Sequence, residues 1–195
     1  TELLTEAKIW EALMESMPMT AMVRNLANMT RVGLLQMKSA ATKKVVEQLS
    51  NPDRLKRSRI HPIALLLAHA TYSVGRGMRG QNTWAPIPSI VDALEEAFYK
   101  AFEFVEPTEN RYLLGLDVSG SMSMCTVAGT PLSACAASTA MAMVTMQTEP
   151  YCMPMAFADQ FRAIPLTKRM RLSDAMLHTQ AVNFGGTDCA LPMED

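Results

Sequence analysis

The apolar pattern of this chain changes period at Glu106-Pro107-Thr108, which limits the fold to a helical segment joined to a strand-bearing one. Before that point, Ile9, Trp10, Leu13, Met14 and Met17 recur at helical spacing until Pro18. Met22, Val23, Leu26 and Met29 form a second such face. A third helix is predicted over 40–49, with Val45, Val46 and Leu49 inward and Lys43, Lys44 and Gln48 outward. Asn51-Pro52 pairs a capping side chain with a proline at the first helical position. His61-Pro62 opens a helix over 63–74, which Gly75 and Gly77 stop. Residues 75–88, GRGMRGQNTWAPIP, read as loop. Ser89 and Asp92 have capping-box spacing before a helix that buries Ile90, Leu94, Ala97, Phe98 and Phe102. Short helices around tight turns predict a helical array or solenoid, although no repeat of fixed period marks it.

Beyond the change of period, RYLLGLDV (residues 111–118) has the length and apolarity of a buried parallel strand. A helix rich in small residues follows over 131–147, then apolar runs at 151–158 and 161–166 that read as a hairpin. Residues 173–180 read as helical, with Leu172, Met176 and Leu177 inward. Strand, helix, strand is the order of a doubly wound α/β domain. Pro154 argues mildly against a central strand there.

Chemistry concentrates just after the first strand, in Asp117-Val118-Ser119-Gly120-Ser121. Alternate residues of an extended turn can share a direction, so one carboxylate and two hydroxyls could converge. Hard oxygen donors of this kind suit Mg²⁺ or another small divalent cation. Ligands of open α/β sheets also gather beyond the carboxyl ends of strands. Gly185-Gly186-Thr187-Asp188, with Thr187 66 residues after Ser121, could add a further hydroxyl. The competing reading makes Ser119 or Ser121 a helix N-cap, which is compatible with metal ligation.

The net charge of −1 conceals a strong asymmetry. Residues 24–79 hold eleven Lys/Arg against Glu47 and Asp53, a net of +9, whereas residues 80–195 carry −7 and residues 1–23 carry −3. A basic block on an otherwise acidic chain suggests an anionic partner, against the alternative of ordinary solvated helix faces. Its candidates for contact with phosphate are Lys43, Lys44, Arg54, Lys56, Arg57, Arg59, His61, Arg76 and Arg79. His61 also has a purely structural reading beside Pro62, and His69 and His178 fall on apolar helix faces as core residues. Trp10 reads as core, Trp84 as either core or a base-stacking ring, and the 17 methionines as packing. A hydrophobic share of 49% excludes disorder as the main state, and the apolar run 63–68 is far shorter than the ~20 residues of a membrane span. No basic, apolar leader opens TELLTEAKIW, and Cys125, Cys135, Cys152 and Cys189 form no C-x-x-C. These features predict a cytoplasmic protein, with nuclear residence also open, and no membrane partner.

DVSGS followed by GGTD resembles a von Willebrand factor A-type domain with its metal-ion-dependent adhesion site. The resemblance implies that Asp117, Ser119, Ser121 and Thr187 surround a divalent metal. The family's further Asp follows another strand; Asp188 is not that residue by position, and the sequence ends at LPMED. WEALMESMPMTAMVRNLANMT, RIHPIALLLAHATYSVGRGMRG and AFYKAFEFVEPTENRYLLGLDVSGSM, in that order, closely resemble the Ro ribonucleoprotein autoantigen family. The resemblance implies the C-terminal part of a HEAT-like helical TROVE module over 1–107 and the N-terminal part of an A-type, Rossmann-like domain over 108–195. It therefore implies a fragment, or a sheet completed elsewhere. It also implies binding of small noncoding Y RNAs and of misfolded RNAs in RNA quality control, and no DNA partner.

The residues supply no activated nucleophile with a base, no phosphate-binding Walker loop and no paired acid and base carboxylates, so no catalysis is expected. The metal's open position would take a carboxylate from a protein partner. Two rivals stand beside the RNA-binding reading. One is an adhesion-type protein-interaction module with a helical scaffold; the other, weaker, is metal-dependent phosphoryl transfer.

Overall fold

The computed structural model describes residues 6–78, 81–127, 129–181 and 186–194, and separates into two units, Thr1–Phe104 and Val105–Asp195. In the first unit, α1 (Ala7–Met14) buries Trp10 and Met14, and α2 (Met19–Arg31) starts directly after Pro18 and buries Met19, Met22, Val23, Leu26 and Met29. The i, i+3, i+4 spacing of these side chains forms one apolar stripe. Helix α3 (Ala40–Ser50) is capped by Ser39, whose hydroxyl accepts from Thr42 N at 3.2 Å. Its buried positions are Thr42, Val45, Gln48 and Leu49. The inward arc is thus rotated from the expected one: Gln48 is inside, and Val46 is only half-buried. Residues three apart share a helix face, so Thr42, Val45 and Gln48 go in together.

Helix α4 (Pro52–Ser58) opens as its sequence predicts, with the Asn51 side-chain Oδ1 accepting from Arg54 N at 3.0 Å and proline in the first turn. Helix α5 (Pro62–Val74) follows after a single turn and ends at Gly75, whose φ of +71° is left-handed. A Cβ at Gly75 would stand 2.8 Å from the Trp84 carbonyl oxygen, so glycine is required there twice over. The loop that follows is pinned as a small hairpin: Arg76 bridges Thr83, and Trp84 N donates back to Gly75 O at 2.9 Å.

Helix α6 (Pro88–Lys100) begins two residues earlier than the Ser89 capping pattern suggests. Ile87 occupies the N-cap without a side-chain bond, and Pro88 fills the first turn. The Ile87 N–H instead donates to the buried Tyr72 hydroxyl at 3.3 Å, which also bonds Thr30 Oγ1 at 2.9 Å. Burial pushes the Tyr72 hydroxyl above its usual pKa, against these two hydrogen bonds. Helix α6 packs against α5 and α3, and a 3-10 turn at Ala101–Phe104 closes the unit with Phe102 edge-on to Phe98. The result is an array of short helices packed on their neighbours.

The second unit is α/β. Strand β1 (Arg111–Asp117) pairs in parallel with β2 (Tyr151–Phe157), and β3 (Phe161–Ala163) completes an antiparallel hairpin in the order β1-β2-β3. Pro154 is tolerated because β3 pairs only from Met155 onward, so no ladder partner is lost on that side. A one-turn α7 (Gly120–Met124) follows β1, and α8 (Ala134–Thr148) crosses over to β2 and covers one face of the sheet. Helix α9 (Leu172–Gln180) packs on α8 through Leu172, Ala175 and Thr179. Leu177, expected inside, is 66% exposed, and His178, expected in the core, is exposed as well. The inward phase of α9 is set by Thr179, whose hydroxyl meets Thr139 and Cys135 of α8. A short α10 (Leu191–Glu194) brings Pro192 against Gly115 on the sheet. Together the units make a helical array followed by a partial doubly wound A-type fold. Among the described residues no helix is long and apolar enough to cross a membrane.

Candidate functional site

At the carboxyl end of β1 the strand delivers Asp117, and Val118 stays in the ladder by donating to Phe157 O at 3.1 Å. The chain then turns sharply. Asp117 Oδ1 accepts from Ser119 N at 2.8 Å, leaving the other carboxylate oxygen free of any protein donor among the described residues. Ser119 Oγ lies 3.1 Å from Ser121 Oγ, although Ser119 itself is only 3% exposed. Ser119 occupies the N-cap position of α7, yet its side chain makes no capping bond. Its hydroxyl faces Ser121 instead. The structure thus brings Asp117, Ser119 and Ser121 into one oxygen cluster.

Thr187 is exposed at the same end of the sheet. It is placed there by Asp188, whose N–H donates to Ala158 O, one residue past β2, at 2.7 Å. Among the described residues no hydrogen bond joins Thr187 to the other three, and Gly185 lies outside them. The Asp188 carboxylate accepts from Ala190 N at 2.9 Å, which shapes its own turn. One carboxylate with hydroxyl oxygens suits a hard divalent cation. Asp117, Ser119 and Ser121 are therefore the residues able to hold one, with Thr187 as a fourth donor.

In the helical unit, α4 and its exit carry Arg54, Lys56, Arg57 and Arg59, all exposed. Arg54 and Arg57, three apart, share a face. Arg57 Nε donates to Asp53 O at 3.3 Å, which leaves its terminal nitrogens free. Arg59 holds a left-handed backbone (φ 50°) at the helix C-cap, a position a glycine would hold at lower cost. Lys43 and Lys44 lie on the neighbouring α3, the first exposed and the second half-buried. Among the described residues the ion pair found is Lys100 Nζ to Glu96 Oε1 at 2.8 Å, outside this cluster. Four cations within six residues therefore face water with no carboxylate ion-paired to them among the described residues.

The remaining candidates divide. His61 is the N-cap of α5, and its Nδ1 accepts from Ile63 N at 3.2 Å, so only Nε2 is left for a ligand. Arg76 is exposed in the hairpin loop after α5, and Arg79 lies outside the described residues. Trp84 is engaged internally: its Nε1 donates to Tyr72 O at 3.0 Å and its ring stacks on Tyr72. It is no free stacking platform.

Two residues that sequence reasoning missed also matter. Glu149 is 4% exposed and collects Thr108 N (2.8 Å), Thr108 Oγ1 (2.9 Å) and Glu109 N (3.0 Å) on its carboxylate. It clamps the chain entering β1. Gln48 lines an open groove of about 390 Å³ together with residues of the α1–α2 turn and with Arg54 and Arg57 of α4. Inward polar positions of this kind carry no periodic signal of their own.

A packed array of short helices, followed by a small mixed sheet with an oxygen cluster at the end of its first strand, defines a protein with a helical-array unit and an A-type domain. Two family models match the chain: the TROVE domain over residues 1–71 and the Ro60 vWA domain over residues 111–194. The chain is 47% identical over 189 residues to the RNA-binding protein RO60 of Deinococcus radiodurans, covering 96% of this chain and 36% of that protein. It is 45% identical over 194 residues to the RNA-binding protein RO60 of Caenorhabditis elegans, covering 99% of this chain and 30% of that one. The crystal structure of the Deinococcus radiodurans RO (RSR) protein superposes with a TM-score of 0.90 over 96% of this chain and 38% of that chain, at 47% identity. This chain belongs to the Ro family. It spans about a third of the length of the relatives it matches.

Proposed function

We propose that this chain binds RNA through its helical unit. The observation that carries the reading is the group Arg54, Lys56, Arg57 and Arg59, exposed and without a carboxylate partner among the described residues. Like charges this close repel one another unless an anion lies between them. A polyanion supplies that anion, and arginine adds forked contacts to phosphate and stacking on bases. The relatives bear the name RNA-binding protein, which supports RNA over other polyanions. Within that reading, the Ro resemblance favours Y-type noncoding RNA and misfolded RNA as ligands, in RNA quality control. The chain acts by binding rather than by catalysis.

The A-type unit has a separate role. Asp117, Ser119 and Ser121, with Thr187 beside them, would hold Mg²⁺ or another divalent cation, and the bound cation would offer an open position to a protein partner's carboxylate. The donor chemistry supports this. Ser119 Oγ is buried without a capping role, and one Asp117 oxygen is unused.

Fluorescence anisotropy with a short labelled single-stranded RNA, repeated across salt concentrations, tests the main reading. Tight binding at low salt that weakens steeply is expected. Absence of binding at low salt, or an affinity indifferent to salt, refutes it and leaves the protein-interaction role of the oxygen cluster standing alone. That role has its own readout: calorimetric binding of Mn²⁺ by the intact chain, lost in Asp117→Ala.

A further inference from the structure

The groove lined by the α1–α2 turn and α4 holds an unusual combination. Gln48 is 8% exposed, and its side-chain amide makes no hydrogen bond among the described residues. Yet no buried side-chain nitrogen or oxygen there lacks a partner, so the amide must keep its polar atoms open to the groove it lines. The side chain is packed in place while its hydrogen-bonding end is unused. A buried amide held this way is pre-organised for a partner that supplies a donor and an acceptor together.

The surroundings narrow that partner. Met17 and Pro18 form an apolar wall, and methionine sulfur makes favourable contacts with aromatic rings. Arg54 and Arg57 also line the groove, exposed, and Arg57 keeps its terminal nitrogens free while its Nε donates to Asp53 O. Helix α2, 13 residues long, begins at the groove with Thr20 in its first turn and with no capping side chain. Its free N–H groups and positive dipole end add to the attraction for an anion. A flat ring with hydrogen-bonding edges joined to a negative group fits all four features. That is the chemistry of one nucleotide. A volume of about 390 Å³ is in the lower part of the ~300–1,000 Å³ range of small-ligand pockets.

We propose that this groove is a nucleotide subsite for single-stranded RNA. An unstacked base lies against Met17 and Pro18 with its edge on the Gln48 amide, and its phosphate meets Arg54 and Arg57. The proposal rests on the RNA-binding reading and adds to it. The basic cluster attracts any polyanion, whereas this subsite reads a base. A glutamine amide matches the paired donor and acceptor of adenine best, so adenine is the preferred occupant.

The test titrates adenosine 5′-monophosphate, and separately inorganic phosphate, into the full chain followed by amide NMR. The nucleotide should shift the Gln48 side-chain amide and the Thr20 backbone signal at concentrations where inorganic phosphate moves them little. Gln48→Leu, close in size, should weaken the nucleotide by roughly fivefold or more and leave inorganic phosphate unchanged. Arg54→Gln with Arg57→Gln should weaken both. An unchanged unfolding midpoint shows that Gln48→Leu folds, and Gln48→Glu, of the same shape, gives a second loss of binding.

Equal affinity for nucleotide and phosphate overturns the subsite, as does an affinity unmoved by Gln48→Leu or shifts confined to other regions. The two readings fail separately. Nucleotide in the groove without binding of longer RNA removes the RNA function and keeps the subsite. Salt-dependent RNA binding that is untouched by Gln48→Leu, with the monophosphate silent, removes the subsite alone.

Discussion

Neutralising the α4 cluster gives the sharpest test of whether the helical unit meets RNA. In the variant Arg54→Gln, Lys56→Gln, Arg57→Gln, Arg59→Gln, four exposed cations disappear. The fold should tolerate this. The Asn51 cap and the buried Leu55 that anchor α4 are untouched, and the one hydrogen bond lost, Arg57 Nε to Asp53 O, is exposed. Arg59 sits in left-handed backbone, but glutamine has the same Cβ and adds no new strain. Each phosphate neutralised on a single strand contributes about 0.7 to the slope of log affinity against log salt. If each of the four cations meets one phosphate, the variant's slope is shallower by about 2.8, and the wild-type advantage shrinks about fiftyfold between 50 and 200 mM salt. Anisotropy titrations of one labelled single-stranded RNA at several salt concentrations measure both slopes. Parallel slopes for the two proteins, with the variant folded, would show that these side chains do not touch phosphate, and the argument from unpaired charge would be wrong.

Glu149→Ala removes the acceptor of two backbone N–H groups and one hydroxyl, so the A-type unit should lose about 3 kcal/mol of unfolding free energy in urea titration; a loss below the error of the method refutes the clamp. Gly75→Ala forces a Cβ to within 2.8 Å of the Trp84 carbonyl in left-handed backbone, and about 1–3 kcal/mol should be lost from the helical unit, read from its melting transition. Burial lowers the His69 pKa below 6.5 despite the opposing charges of Glu95 and Asp92. The unfolded chain therefore takes up this proton first as the pH falls, so the stability His69 contributes above 6.5 is lost as the pH drops through its lower folded value. His69→Gln should flatten that part of the urea midpoint against pH, and an unaltered profile would exclude it.

The fold was legible wherever one interaction decides the local structure. Asn51-Pro52 marks α4 because an amide side chain and a missing N–H solve the same end problem, and the structure shows both in place. Gly75 stops α5 because only glycine accepts that backbone beside Trp84. The hairpin of β2 and β3 follows from two apolar runs around Asp159-Gln160. Prediction failed where a second element chose the outcome. Ser89 and Asp92 have the spacing of a capping box, but the Tyr72 hydroxyl already takes the Ile87 N–H, and α6 starts at Pro88. Leu177 reads as core by its chemistry, yet contact between Thr179 and Thr139 turns α9 so that leucine faces water.

The candidate sites divide along the same line. Asp117, Ser119 and Ser121 could be read directly because the converging oxygens belong to five consecutive residues at a strand end. Thr187 needed the sheet to bring it near, through a backbone bond between Asp188 and Ala158 that no sequence spacing encodes. Gln48 could not be read at all. On a helix whose neighbours are Lys43, Lys44 and Glu47, a glutamine looks like one more solvated side chain. Its meaning comes from the phase of α3, set by Thr42, Val45 and Leu49 packing inward. Once those three are fixed, residue 48 must go in with them, and a hydrophobic side chain would satisfy that position at less cost. An amide kept there, with its polar end facing a groove rimmed by two arginines, is better explained by a ligand than by stability. Gln48→Leu therefore separates the two causes: it should leave folding unharmed or improved while nucleotide binding falls, and a destabilised Gln48→Leu with unchanged binding would reverse the assignment.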